Sequence, residues 1–382
     1  MKVLHVCLNG PYTDGLLYQE NILTKYQRKM GIEVIIIASS FCWDENGKIK
    51  KDMRKFYINN DRVRVYRLTE YFRIHIFNKV GVFQGMLKIL YKEIPDVIFL
   101  HGCQYLECLK ILEYVKKYPS TKLYVDNHCD FSNSARNCIS KVILHKGLWR
   151  YCAKKLLPYV EKFYGVLPAR VEFINQIYQI PLEKIEYLPL GADDELIDKG
   201  KENSETIRRK YKIKEKDFFV VTGGKIDTEK KETIFLMEAI KELKKYRVKL
   251  LIFGSVEDTL KKTFNKLLET SNITYVGWVK ASESYNYFAA ADLVVFPGRH
   301  SIFWEQVVGQ GIPLLCKYWR GTTHVDIGGN CRFLYRSNKE EIKSQLLELI
   351  RNEKIYMSMF ENAQGLGRKK FSYANIAEKS IK

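Results

Sequence analysis

A chain of 382 residues with 46% hydrophobic side chains is long enough for two domains, each with its own core, and is excluded from the disordered class. Apolar runs all fall short of the roughly 18–20 residues that span a bilayer. The odd count of nine cysteines, with no Cys-x-x-Cys pair, argues against a disulfide framework or zinc site and for reduced, buried thiols in the cytoplasm.

The formal charge of +19 is unevenly placed. Between Lys50 and Lys162, 22 Lys or Arg stand against 10 Asp or Glu, so much of the surplus lies in the N-terminal half. Such a field attracts the phosphates of nucleic acid, anionic lipid or lipid-linked diphosphates. A Lys-rich proteome gives the same composition.

Residues 1–8 look superficially like a signal peptide, but Asn9-Gly10-Pro11 ends the run too early, and it reads as a first β-strand. Further strands are predicted at 34–38, 63–67, 97–100, 123–126, 165–167 and 185–188, with helical patterns between them. A polar stretch over 191–203 follows, and the pattern restarts with strands at 218–222, 249–253, 274–276, 293–296 and 313–315. Helices are expected at 232–245 and 340–351, and again over the charged residues 362–382. This alternation predicts parallel sheets covered by helices, in two doubly wound α/β domains that leave a ligand cleft at the carboxyl ends of their strands.

Two segments carry candidate chemistry. In the first, a buried strand ends at Gly223-Gly224 and is followed by Lys225 and Lys230 before a helix. Glycines let backbone approach a phosphate, a helix start offers free N–H groups, and two lysines neutralise a diphosphate. The plainer reading is a turn before a solvated helix face. In the second, a strand ends in Pro297-Gly298, then Arg299, His300 and Ser301 form a loop, and Glu305 falls in the first turn of a helix. A carboxylate there can accept from the two hydroxyls of a ribose while the loop amides face phosphates. Alternatively Glu305 complements the helix dipole and His300 is a surface residue.

Together, at this spacing, Gly224-Lys225-Ile226-Asp227-Thr228-Glu229-Lys230-Lys231 and Glu305-Gln306-Val307-Val308-Gly309-Gln310-Gly311-Ile312-Pro313 resemble glycosyltransferase family 4, retaining enzymes of GT-B architecture. Leu188-Pro189-Leu190-Gly191-Ala192-Asp193 is similar to the linker that precedes that family's C-terminal domain. The resemblance implies two Rossmann-like domains facing across a cleft. Residues 1–190 would bind the acceptor, 191–365 the donor, and a helix over 366–382 would pack back on the N-terminal domain. It also implies that Lys225 and Lys230 hold the donor diphosphate beside Gly224 and Ser301. Glu305 would hold the ribose, and Gly277 and Val279 would lie against the base. Gly15 occupies the place of the family's N-terminal glycine loop, and His128 that of a histidine near the transferred sugar.

One departure stands out. The family's second glutamate, eight positions before the one matching Glu305, is replaced by Pro297, with no carboxylate between them. By the resemblance, Arg299, His300 or backbone amides must serve the sugar instead, with His128, His300 and Lys230 as the catalytic set. No Asp-x-Asp motif suggests a bridging metal, so the expected co-substrate is a nucleotide-sugar donor, with no other cofactor. The departing nucleotide diphosphate would be stabilised by lysines and helix ends.

On a helix over 137–159, Lys146, Arg150 and Lys154 make one basic stripe at four-residue spacing, interrupted by Ile143. A membrane-surface helix and a core helix with one solvated face both fit, and residues 83–91 offer a second stretch of the same ambiguity. The resemblance favours peripheral contact with an anionic membrane and a glycan or polyprenyl-diphosphate-linked acceptor, as in surface polysaccharide synthesis. The competing readings are a catalytically degenerate GT-B partner of another transferase and a nucleotide-sugar 2-epimerase. Nucleic-acid binding ranks last, because no recognisable module accompanies the charge.

Overall fold

The computed structural model describes residues 1–44, 47–74 and 80–382. The chain divides into two units, Met1–Pro189 with Ile376–Lys382, and Leu190–Asn375. Both are α/β units built on sheets that are buried on two faces.

The strands of the first unit are β1 (Lys2–Cys7), β2 (Glu33–Ser39), β3 (Phe41–Trp43), β4 (Ile49–Lys51), β5 (Phe56–Ile58), β6 (Arg64–Leu68), β7 (Glu70–Ile74), β8 (Val80–Phe83), β9 (Val97–Leu100), β10 (Lys122–Asn127), β11 (Val160–Gly165) and β12 (Ile185–Tyr187). Eight of them form a sheet in the order β12-β11-β10-β9-β1-β2-β6-β5, parallel except for the β5–β6 pair. The pairs β3–β4 and β7–β8 are antiparallel hairpins beside it. In β1, Leu4 and Val6 enter one core with Ile35, Ile37, Ile98 and Leu100, while Val3, His5 and Cys7 turn to the other face. Burial on both faces explains why these strands read as nearly continuous apolar runs.

The second unit carries β13 (Phe218–Gly223), β14 (Val248–Phe253), β15 (Ile273–Tyr275), β16 (Leu293–Phe296), β17 (Leu314–Lys317) and β18 (Cys331–Leu334), all parallel in the order β15-β14-β13-β16-β17-β18. In both sheets the strand order reverses beside the first strand, between β1 and β9 and between β13 and β16. Open α/β sheets bind ligands at the carboxyl ends of strands at such points.

Two expectations need correction. The strand predicted at 165–167 lies earlier, in β11, because Pro168 opens the helix Pro168–Tyr178 and Val166-Leu167 are its approach. Glu161 and Lys162 inside β11 had masked it. The helix carrying the basic stripe is not α throughout: Ser140–Trp149 is a π-helix that becomes α-helical only at Arg150–Leu156, and Lys146 and Lys154 are exposed while Arg150 is half-buried, its Nε donating to the Ile177 carbonyl at 2.7 Å. Leu144 and Trp149 are both buried. Ile139, Val142, Ile143 and Tyr151 are left more than half exposed beside Lys146, Lys154 and Lys155. In 83–91 the apolar residues belong to the core: Phe83, Met86 and Leu90 are buried, with Leu87, Ile89 and Tyr91 packed against them.

Of the C-terminal residues, the helix Glu353–Phe371 lies in the second unit, where a Cβ at Gly367 would stand 2.0 Å from the Val308 carbonyl oxygen. The helix Tyr373–Lys379 leads into residues 376–382 of the first unit, where Gln27 Nε2 donates to Ser380 Oγ at 3.1 Å and Lys379 Nζ to the Tyr187 carbonyl at 3.0 Å. Among the described residues, no helix is long and apolar enough to cross a membrane.

Candidate functional site

In the second unit the reversal point gathers the residues of both candidate segments. After β13 the backbone turns through Gly224, whose φ is +110°, and Gly224 N donates to the Phe253 carbonyl at 3.0 Å. The neighbouring β14 is followed by Gly254 (φ +122°), where a Cβ would lie 1.8 Å from the Gly224 carbonyl oxygen. The two turns therefore touch backbone to backbone, which requires glycine.

A pocket beside them is lined by Gly223, Lys225, Lys230, Gly298, Arg299 and Ser301. Lys225 is exposed and pairs with Asp227 at 3.2 Å. Lys230 is half-buried, and its ammonium is pushed below the ordinary lysine range by burial and by Arg299 and Lys225, against the pull of Asp227. Gly277 has φ +77°, and its carbonyl accepts from Gly254 N at 2.7 Å. Val279 packs on the core, while Trp278 between them is 70% exposed. The loops bearing Gly224 and Gly277 thus meet at Gly254.

Glu305 lies in the first turn of the helix Phe303–Gly309. Its carboxylate is fully buried: Oε1 accepts from His300 Nε2 and His324 Nε2, both at 2.9 Å, and Oε2 has no hydrogen-bond partner among the described residues. Burial works to raise this carboxyl, but the two histidines hold it down at about 2. Burial pushes the His324 ring down, consistent with a neutral imidazole donating one N–H. His300 is no surface residue: its side chain is 14% exposed and sits edge-on to Trp304, the ring centres 4.9 Å apart. His324 carried no signal in the sequence, since it stands 19 residues from Glu305 on a separate turn.

In the first unit, Gly15 lies on the loop after β1 with φ +76° and open space around it. His128 follows β10, with its side chain 40% exposed and Nε2 3.4 Å from Asp126 Oδ2. Asp130 does not orient it; that carboxylate instead receives the Ser132 and Asn133 amides and Arg170 Nε. The surrounding turn is closed by Asn133 Nδ2 donating to the His128 carbonyl at 2.8 Å. Behind Asp126 runs a buried file that the sequence did not announce, of His101, His5 and Gln27. A cavity of about 600 Å³ opens on the same edge of the sheet, lined by Asn9, Phe41, Gln104, Tyr105, Cys129 and Trp149.

Comparison with known proteins agrees with this architecture. Residues 203–365 match the family described as Glycosyl transferases group 1. A search of curated proteins by sequence found no match. Among solved structures, HepE of Anabaena in complex with UDP and glucose is 14% identical with a TM-score of 0.65, covering 99% of this chain and 98% of that one. Sucrose-phosphate synthase from Thermosynechococcus elongatus is 12% identical with a TM-score of 0.69, over 99% and 96%. WaaG, a glycosyltransferase involved in lipopolysaccharide biosynthesis, is 15% identical with a TM-score of 0.64, over 99% and 98%. The chain therefore has the GT-B fold of two Rossmann-like units, and its second unit carries the match to group 1 glycosyl transferases.

Proposed function

We propose that this chain is a glycosyltransferase that takes a sugar from a nucleotide diphosphate, a UDP- or GDP-sugar, and passes it to a glycan or polyprenyl-diphosphate-linked acceptor. The observation that carries this reading is the cationic pocket at the β13–β16 reversal point, within the stretch matched to group 1 glycosyl transferases. Burial, Arg299 and Lys225 depress the charge of Lys230 there, and a diphosphate would relieve that repulsion. The lysines and loop amides would then stabilise the leaving nucleotide diphosphate as the glycosidic bond breaks. The transfer is read as retaining and metal-independent, with His128 meeting the sugar and Glu305 the ribose. HepE, whose fold is shared, was solved with UDP, which favours uridine as the base.

The acceptor side is read from the first unit. Exposed Ile139, Val142, Ile143 and Tyr151 beside Lys146, Lys154 and Lys155 suit a surface of anionic lipid, and so an acceptor of bacterial surface polysaccharide synthesis held at a membrane. A second reading, a donor-binding partner without turnover, draws on Pro297 in the glutamate's place and on the enclosure of Glu305 by two histidines.

The test is thermal stabilisation by UDP, GDP and ADP without metal, for the wild type and for Lys230→Ala. Stabilisation by one diphosphate, lost in the variant, is expected, and no shift with any nucleotide at millimolar concentration overturns the reading. Release of nucleotide dependent on acceptor then separates transfer from binding alone.

A further inference from the structure

We propose that His101 is held as a buried imidazolium, and that its pairing with Asp126 makes the file Gln27–His5–His101–Asp126 a positioning device for His128. The functional half of this proposal rests on the reading of His128 as the residue that meets the sugar. The protonation half does not.

The hydrogen-bond directions follow from which atoms can donate. Ser380 Oγ donates to the Ala377 carbonyl at 2.7 Å, so it must accept from Gln27 Nε2 at 3.1 Å, and this fixes the amide. Gln27 Oε1 then faces His5 Nε2 at 2.7 Å and can only accept, so His5 carries its hydrogen on Nε2. His5 is fully buried and neutral; burial and the neighbouring His101 push it down to about 3. Its Nδ1 is therefore bare and must receive a hydrogen from His101 Nε2, 3.1 Å away. On the other side of the ring, His101 Nδ1 lies 2.9 Å from Asp126 Oδ2, and a carboxylate can only accept. Both nitrogens of His101 thus carry hydrogen.

The alternative places that proton on Asp126. It would leave the His128 N–H, 3.4 Å from the same oxygen, without its carboxylate acceptor. Burial opposes charge on both groups, yet Asp126 is held below the usual carboxylate range by His101 and His128. His101 is raised by Asp126, with Glu20 on the helix Gln19–Lys29 adding the same sign.

The strands make this arrangement inevitable once formed. His5 sits on β1, His101 directly follows β9 and Asp126 lies on β10, three neighbours in the sheet, so the file crosses the reversal point where ligands bind. The imidazolium answers the charge of Asp126 inside the protein. The carboxylate can therefore orient His128 through Nε2 without requiring that ring to be cationic, and Nδ1 of His128 is left for a substrate hydroxyl.

The chain has seven histidines, few enough for ring-nitrogen NMR of the full-length protein labelled with ¹⁵N-histidine. The expected spectrum shows one ring with both nitrogens protonated at pH 8, abolished in His101→Gln. A wild-type spectrum at pH 8 without a doubly protonated ring overturns the proposal. So does a spectrum that changes on chelator treatment, which would put a metal ion among His101, Asp126 and His128. In the transfer assay, His101→Gln is expected to lower kcat about tenfold or more through misplacement of His128, with the donor KM within about twofold. Unchanged kcat in His101→Gln, with the imidazolium seen in the wild type, overturns the positioning role, whereas absence of nucleotide binding in the wild type sinks the transferase reading and leaves the imidazolium standing.

Discussion

Each unit ends its sheet with one carboxylate oxygen shared between two imidazoles, yet the two clusters are built for different ends. In the first unit Asp126 Oδ2 lies 2.9 Å from His101 and 3.4 Å from His128, and the cluster continues inward through His5 to Gln27 and outward to a half-exposed ring. In the second, Glu305 Oε1 is 2.9 Å from both His300 and His324, and nothing beyond 14% of a side chain reaches solvent. The first cluster encloses a proton with its counter-charge and comes out neutral. The second encloses the Glu305 carboxylate between two rings, with burial pushing His324 down, in the unit whose pocket is cationic. In the first cluster a further acceptor, His5 Nδ1, stands 3.1 Å behind the His101 ring.

Substitutions at the two carboxylates should separate the clusters most sharply. Asp126→Ala leaves an imidazolium uncompensated in the interior and is expected to cost about 3–5 kcal/mol in urea unfolding. Glu305→Gln keeps the volume and one acceptor, so its expected cost is smaller, about 1.5–3 kcal/mol. Equal costs would mean that His101 carries no charge.

Acid should next find the second unit. Glu305, at about 2 when folded against an ordinary 4.5, contributes stability that is fully present above 4.5 and lost as pH falls towards 2, about 3 kcal/mol in all. His324, also depressed, contributes stability above 6.5 that is lost as pH falls below it. In the first unit the signs oppose. Raised His101 stabilises below 6.5 and loses that contribution as pH rises through its folded value, while depressed His5 does the reverse. Hydrogen exchange compared at pH 8 and pH 5.5 should therefore show protection falling more over 303–325 than over 97–127, and the opposite ranking would break the comparison.

Backbone contact comes third. Gly254→Ala places a Cβ 1.8 Å from the Gly224 carbonyl oxygen at a φ of +122°, for an expected loss of about 1–3 kcal/mol with weakened nucleotide stabilisation. Lys225→Ala, removing an exposed partner of Asp227, should change stability by less than about 1 kcal/mol while still weakening diphosphate binding, as nucleotide titration would show.

Much of this was legible in the sequence, for identifiable reasons. Strands buried on both faces announce themselves as apolar runs, so β1, β2, β9, β10, β13, β14, β16 and β17 were found. The Gly223-Gly224 turn and the place of Glu305 in a first helical turn were also readable, because turn chemistry and helix starts are local. β18 was missed because Arg332 interrupts a four-residue strand, and the π-helix because no sequence pattern distinguishes it from an α-helix. His5 is one polar residue in the apolar run of β1, and Gln27 one of several polar residues on the helix Gln19–Lys29. Their partnership with His101 exists only after three parallel strands lie side by side, which is a tertiary fact. His324 was hidden for the same reason.

The chain leaves the first unit at Pro189 and returns to it at Ile376. During synthesis the first unit emerges early, but Ser380, which orients Gln27 and through it the histidine file, follows after almost two hundred further residues. At ordinary elongation rates that delay is on the order of ten seconds or more. For that interval the sheet can form while its buried proton has no settled home, so the last turn of the chain acts as the keystone of the first domain.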